Sequence, residues 1–394
     1  MKTSTTDNFF AEQKEKSKVK TYIVSEFFKA YYSILYNANL TKDGITYIDL
    51  FSGPGIYDDG TKSTPAILLD IINNSEMDMA KKILMIFNDE NTIYYNSLKS
   101  YIENHAVYNK MARKPIIYNK SANEVNIKSY LSKPIFSFVD PWGYKDVSAE
   151  QIKDLVESIG SDCILFFNVN RILQDLPKPT SCAHMQKIFG IEYSNACILA
   201  EDKQISQHEK GKKFVELFSK NLYNQEFAAL KSNGYRLFVL PFAFKQDEMD
   251  KTSHYILFIS KNHKAILEMK NIMVKKSNSN TSELSYDDKN ALNFSFFSRD
   301  DNIKQDIENT VIKMLLNNQT LVGKEASLSK WFEYVDRYNM KTQYIVTPYT
   351  FKEFQETISL MDENNLINVV SEVKRKRITQ KAVISFNSNV LEKK

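Results

Sequence analysis

The chain has 394 residues, a length that accommodates two or three domains. A hydrophobic fraction of 43% and a charged fraction of 25% are those of a globular protein with a sizeable core, which excludes a disordered or fibrous chain. The net charge of +4 permits nucleic acid as a partner without requiring it, because that inference needs a local basic cluster. Cys163, Cys182 and Cys197 make no disulfide framework. Cys182 and His184 lack the second ligand pair that zinc needs, so no metal is expected. No apolar run reaches the ~20 residues of a membrane span. The N-terminus lacks the apolar stretch of a signal peptide, so the expected compartment is the cytoplasm.

Residues 17–36 carry apolar side chains at helical spacing, and a turn, TKDG, follows at 41–44. YIDLF then opens into the glycine-containing loop of YIDLFSGPG at 47–55. Thr64 reads as an N-cap with Pro65 at the first helical position, starting a helix over about 65–72. Strands are expected at 82–89, 134–140 and 163–169 and a strand running into a loop at 115–122, with helices at 91–106 and 148–160. This alternation predicts an α/β fold, a parallel sheet with helices on both faces. Residues 170–232 break the pattern and read as a mostly helical insertion. YRLFVLPFAF (235–244) and HYILFIS (254–260) supply two late strands that are expected to pair antiparallel. Parallel strands with one late antiparallel strand are the layout of a Rossmann-like methyltransferase domain, here over 1–274.

Residues 275–302 are rich in Ser, Asn and Asp and read as a linker. Helices follow at 302–317, 327–339 and 347–365, the last with a Thr-Pro start. Two β-rich runs then flank Lys374, Arg375, Lys376 and Arg377. Three helices and a basic-tipped hairpin predict a winged-helix-like domain over 303–394, with the four basic residues as candidate nucleic-acid contacts. The competing reading of that run is a solvated turn.

A nucleotide-type cofactor sits where the first strand turns into a helix. The loop there must let the backbone approach the ligand, and Gly53 and Gly55 supply that freedom. Asp49, Phe51 and Ser52 complete the expected cradle. The dinucleotide pattern fails because Asp58 stands where the third glycine belongs. A phosphate-binding loop fits nearly as well, but it is one residue too long before Lys62, and Asp58 and Asp59 would place negative charge in it. S-adenosylmethionine, which has no phosphate, fits best; a structural tight turn is the other alternative. Asp89, with Glu90 second, is the expected ribose-binding acid after the second strand, although such an acid also caps helices. Ser121 and Ala122 follow the third strand, near the adenine.

FVDPWGYKD at 138–146 ends the fourth strand. A D-P-P-aromatic tetrapeptide in amino-methyltransferases accepts hydrogen bonds from a target amine through its aspartate and a prolyl carbonyl, while the ring stacks on a planar substrate. Here it reads Asp140, Pro141, Trp142, Gly143, with the ring one place early and the second proline missing. The structural alternative packs Trp142 under the loop. Asn168, Asn170 and Arg171 after the fifth strand are further pocket candidates.

The helix bearing Lys18 and Lys20, YIDLFSGPGIYDDG, STPAILL, FVDPWGYKDVS, SDCILFFNVNRI and HYILFIS together resemble the three-Cys-motif partner protein (TcmP) family. The resemblance spreads over most of the chain, which carries Ser63–Thr64–Pro65 where the family usually has a glycine. It implies a bacterial, methyltransferase-like protein in a mobile-element or phage-defence setting, with a partner protein encoded nearby. It supplies no substrate. Residues and resemblance together lead to the expectation of an S-adenosylmethionine-dependent methyltransferase acting on a nucleobase amine in DNA or RNA. A non-catalytic module that binds nucleic acid or a partner protein, and a nucleotide hydrolase using the near-phosphate loop, are the alternatives.

Overall fold

The computed structural model describes residues 4–226, 237–246, 251–278, 283–287, 300–370 and 378–392. Its centre is an eight-stranded sheet of β1 (Ile45–Asp49), β2 (Ile83–Asn88), β3 (Ile116–Tyr118), β4 (Ile135–Val139), β5 (Asp162–Asn168), β6 (Phe238–Gln246), β7 (Lys251–Ser260) and β8 (Ser285–Asp287). The order across the sheet is β3-β2-β1-β4-β5-β7-β6-β8. The first five strands run parallel, and β7 is antiparallel to both β5 and β6. The α/β class and the late antiparallel strand are as the sequence predicts.

The central strands are short apolar runs because helices cover both faces. β1 and β4 are buried along their whole length. Side chains alternate between two cores with the period of two that a strand imposes. Tyr47 and Phe136 join one core; Ile48, Ile135 and Val139 join the other. The helix Ser4–Asn37 covers the first face. Its Ile23, Phe27, Tyr31 and Leu35 recur at the spacing of one helical stripe and are all buried. Phe27 meets Phe136 edge-on at 5.4 Å and Phe258 at 4.5 Å between ring centroids. This packing fixes the start of the chain against β4 and β7.

Several local expectations change. The cap of helix Thr64–Asn73 is Ser63, and Thr64 is the first helical residue, because the chain is still extended at Ser63. The 275–302 stretch read as a linker contains β8, which pairs parallel with β6 at Ala243–Lys245. Its Leu284 and Tyr286 are buried in the first core, an apolar alternation too short to stand out among Ser, Asn and Asp. The third C-terminal helix starts at Phe351 rather than at Thr347–Pro348, since Thr350 and Glu353 form a capping box.

The insertion holds the helices Val169–Asp175, Cys182–Phe189, Tyr193–Glu201 and Gln207–Asn221. The C-terminal unit has helices Asp300–Asn317, Leu328–Thr342 and Phe351–Glu363, and a three-stranded antiparallel sheet ordered β10 (Ile367–Val369), β11 (Val383–Phe386), β9 (Ala326–Ser327). It has its own core around Trp331, Phe332, Phe354 and Ile384. Lys374, Arg375, Lys376 and Arg377 lie outside the described residues.

A buried ionic clamp joins this unit to the helix His263–Val274. Lys270 Nζ donates to Asp336 Oδ1 and Oδ2 at 2.9 and 2.8 Å, and His263 Nε2 lies 2.8 Å from Oδ2. The Thr347 amide and hydroxyl donate to Oδ1. Burial opposes the Asp336 charge, but Lys270 and His263 outweigh it and hold its pKa at about 2. The Val346 amide also donates to the Val239 carbonyl of β6.

Candidate functional site

The strand order reverses between β1 and β4, because β2 and β3 build to one side of β1 while β4 and β5 build to the other. Open α/β sheets bind ligands in the crevice at the carboxyl ends of such a pair. Asp49 ends β1, and Asp140 directly follows β4.

Asp49 is buried and braces the turn. Its Oδ1 accepts from the Phe51 amide at 3.1 Å, and its carbonyl accepts from Ser52 Oγ at 2.9 Å. Burial pushes its carboxyl up to about 8; the Phe51 amide works the other way, and the Asp140 charge adds to the rise. Phe51 and Ser52, expected as cofactor contacts, thus shape the loop through a backbone amide and a hydroxyl. Gly53 and Gly55 have φ of +68° and +85°, the left-handed region that favours glycine. The loop then doubles back: the Ser63 amide reaches the Gly55 carbonyl at 2.8 Å, and Ile56 bridges Lys62. This turn hangs the Tyr57 hydroxyl over Gly53, where a Cβ would stand 3.5 Å from it.

Asp89, the expected ribose-binding acid, lies beside this loop. Oδ2 accepts from the Gly53 amide at 2.9 Å, and Oδ1 from the Asn91 amide at 2.9 Å. Asp89 therefore ties the glycine loop to the end of β2. Asn91 caps the next helix, accepting from the Ile93 and Tyr94 amides. Glu90 is exposed.

Ser121 and Ala122 sit farther along the strand ends. Ser121 Oγ donates to Asp146 Oδ1 at 2.5 Å, and the Ala122 carbonyl accepts from Gln151 Nε2 at 3.0 Å. Beyond them opens a cleft of about 500 Å³, lined among others by Asn123, Lys128, Asp146, Gln151 and Lys187. Neither Asp49 nor Asp140 lines it, so it adjoins the strand-end site without being it.

The Asp140–Pro141–Trp142–Gly143 turn presents its ring outward. Trp142 is 87% exposed, which overturns the alternative in which it packs beneath the loop. Arg171 lies against the turn, its Nε 3.4 Å from where a Cβ on Gly143 would stand, and it pairs with Asp175 at 2.7 Å. Asn168 caps the helix after β5, and Asn170 accepts from Gln207, so neither is committed to the strand-end crevice.

Four residues join the site that the spacing did not single out. Lys20 Nζ donates to Asp140 Oδ2 at 2.5 Å, with side chains 19% and 22% exposed. Burial works against the Lys20 ammonium, but Asp140 outweighs it and raises its pKa above the usual lysine value. The same ammonium lies 4.9 Å from the centroid of the Phe166 ring. His254 stacks on Phe166 at 4.7 Å, and burial lowers its pKa to about 4, so it is neutral at pH 7. Tyr57 is the fourth. Burial raises the pKa of its hydroxyl, with Lys20 opposing and Asp140 and Asp49 adding to the rise. Lys20 and Asp140 are 120 residues apart, a separation that no local pattern reveals.

Among known proteins, no family model and no curated protein matches the chain. Among solved structures it is similar to a protein of Legionella pneumophila str. Philadelphia 1 described by the family model DUF519. Identity is 10% and the TM-score 0.33, over 64% of this chain and 90% of that one. Nothing about function transfers at that level of similarity.

Proposed function

We propose that the chain is an S-adenosylmethionine-dependent methyltransferase of the Rossmann-like type, acting on a nucleobase amine in DNA or RNA. The observation that carries the reading is the placement of Asp49 and Asp140 at the carboxyl ends of β1 and β4, on the two sides of the strand-order reversal, with the Gly53 turn following Asp49 and an outward Trp142 following Asp140. The sheet order, with β7 alone reversed, is the layout this reading expects.

The residues fit the donor. S-adenosylmethionine carries a positive sulfonium and a positive ammonium group, and a buried carboxyl with its pKa near 8 gains by facing a cation. Gly53, half-buried at φ +68°, is the position at which a ligand can come close to the backbone, whereas Gly55 is buried against Leu98 and Tyr101 and shapes the turn. Asp89 holds the loop in place through the Gly53 amide. The donor supplies an electrophilic methyl group. The chain's part is positioning: Asp140 and the Pro141 carbonyl accept the amine hydrogens, and Trp142 stacks on the planar base. The C-terminal unit, with three helices and a three-stranded sheet, is read as a winged-helix-like grip on nucleic acid, with Lys374, Arg375, Lys376 and Arg377 as its expected basic contacts. The resemblance to the three-Cys-motif partner family adds a phage-defence or mobile-element setting to the proposal.

The test is transfer of labelled methyl from S-adenosylmethionine to single-stranded DNA and RNA, with base analysis of the product. Methylated bases that disappear with Asp140→Ala support the reading. Binding of the donor without transfer to any nucleic acid favours the non-catalytic module.

A further inference from the structure

We propose that Lys20 is a positioning residue of the acceptor subsite: by pairing with Asp140 it makes that subsite electrically neutral, so the subsite admits a neutral planar amine and turns away a cationic alkylammonium. The inference rests on the reading of Asp140 and Trp142 as the acceptor side, and it adds a charge selection, with the residue that makes it, that the motif does not give.

An unpaired carboxylate at a strand end attracts any amine, and a protonated alkylamine most strongly. Asp140 is not unpaired. Its Oδ2 is held by Lys20 at 2.5 Å, which leaves Oδ1 and the Pro141 carbonyl to meet a substrate amine. The pair is about one-fifth exposed, so a ligand reaches it while bulk water screens it only partly. The Lys20 ammonium is fixed from a second direction by the Phe166 ring, and His254 backs that ring as a neutral imidazole. Asp49, pushed up to about 8 by burial, belongs to the donor side of the proposed site, so the acceptor subsite is left with the paired Asp140. A cationic alkylammonium entering here meets a like charge with no spare anion to offset it. The exocyclic amine of a nucleobase carries no charge, and its ring has an exposed indole to stack on. The helix Ser4–Asn37 that delivers Lys20 is anchored by Phe27 and Tyr31, so the ammonium is held rather than free to swing away.

The chain offers its own probe. It has two tryptophans, and Trp331 is buried with its indole N–H bonded to the Ile384 carbonyl, so changes in surface fluorescence report on Trp142. Adenosine and n-butylammonium chloride are titrated into the full chain, with Trp142→Phe as the blank. In the wild type adenosine quenches saturably and n-butylammonium does not. Lys20→Met and Lys20→Gln shift the ratio of the two affinities at least tenfold toward n-butylammonium, while Lys20→Arg keeps the wild-type order. The Trp331 emission of each variant checks that the fold is intact. The inference is overturned by a wild type that prefers n-butylammonium or responds to neither ligand, or by folded Lys20 variants that keep the wild-type order. Calorimetry with S-adenosylmethionine separates the two levels. A donor-binding wild type whose order does not depend on Lys20 refutes the role of Lys20 alone. A reversal of order in a chain that binds no donor refutes the methyltransferase reading alone.

Discussion

The lysine–aspartate pairs Lys270–Asp336 and Lys20–Asp140 each join segments far apart in the sequence, and they differ in almost everything else. Lys270 and Asp336 are fully buried, and every oxygen of Asp336 is occupied by Lys270, His263 or Thr347. Lys20 and Asp140 sit about one-fifth exposed at the strand ends, with one carboxylate oxygen engaged. The first pair is a closed network, and its chemistry is spent on holding the C-terminal unit to the helix His263–Val274. The second is open, beside two left-handed glycines and an exposed indole. The same two residue types thus hold structure where they are sealed and, in the proposed reading, form part of a site where they are partly open.

That contrast is breakable by mutation. The largest effect is expected at the sealed pair. Lys270→Ala removes the ammonium that balances the buried Asp336 charge, leaving it only His263 and Thr347, and costs about 3–5 kcal/mol, read by urea denaturation. Lys270→Met with Asp336→Leu recovers much of the loss, because no buried charge remains. A cost below about 1 kcal/mol for Lys270→Ala places this pair with surface ion pairs instead.

The next effect concerns pH, and the two aspartates have opposite signs. A free carboxyl titrates near 3.9, and Asp336 is held at about 2 in the fold. Its stabilisation is therefore full above about pH 4 and is lost as pH falls through about 2. Asp49 is raised to about 8, so the folded chain keeps its proton after the unfolded chain has released its own. The stability it confers is full below about pH 4 and drains as pH rises through about 8. Asp49→Asn is expected to raise Tm at pH 8 by several degrees relative to the wild type and to leave it nearly unchanged at pH 4. Equal shifts at both pH values contradict the assignment.

Smaller stability effects are expected at the open pair. Lys20→Met changes the unfolding free energy by at most about 1 kcal/mol, since the pair is partly solvated. Trp142→Ala changes it by about 0.5 kcal/mol or less, while removing stacking worth about 1–3 kcal/mol per base in single-strand binding. A Trp142→Ala variant that loses stability but keeps nucleic-acid affinity makes the indole a structural group.

The sheet was legible because its central parallel strands are apolar runs that close on an aspartate or asparagine, as at Asp49, Asn88, Asp140 and Asn168, and because Asn91 and Ser148 cap the intervening helices with local hydrogen bonds. The same locality exposed YIDLFSGPG and the D-P-W-G turn. What stayed hidden is what only tertiary pairing creates. β8 is three residues long and becomes a strand only against β6. Lys20 reaches Asp140 because its helix crosses the face of β4. Phe166 and His254 stack because β5 and β7 pair antiparallel, with Phe166 opposite Ile256 and Asn168 opposite His254. His254 looked like an ordinary strand residue, and its place beside Lys20 and Asp140 gives it a part in the site. Asp89 was legible as a strand-end acid, but its bond to the Gly53 amide, 36 residues away, was not.

The most direct test of the central claim is calorimetric titration of the full chain with S-adenosylmethionine, beside Gly53→Ala, which puts a side chain on a backbone at φ +68°. The account predicts saturable binding by the wild type, at one donor per chain, weakened at least tenfold by Gly53→Ala. No heat of binding at millimolar donor, or equal affinity in both proteins, contradicts it.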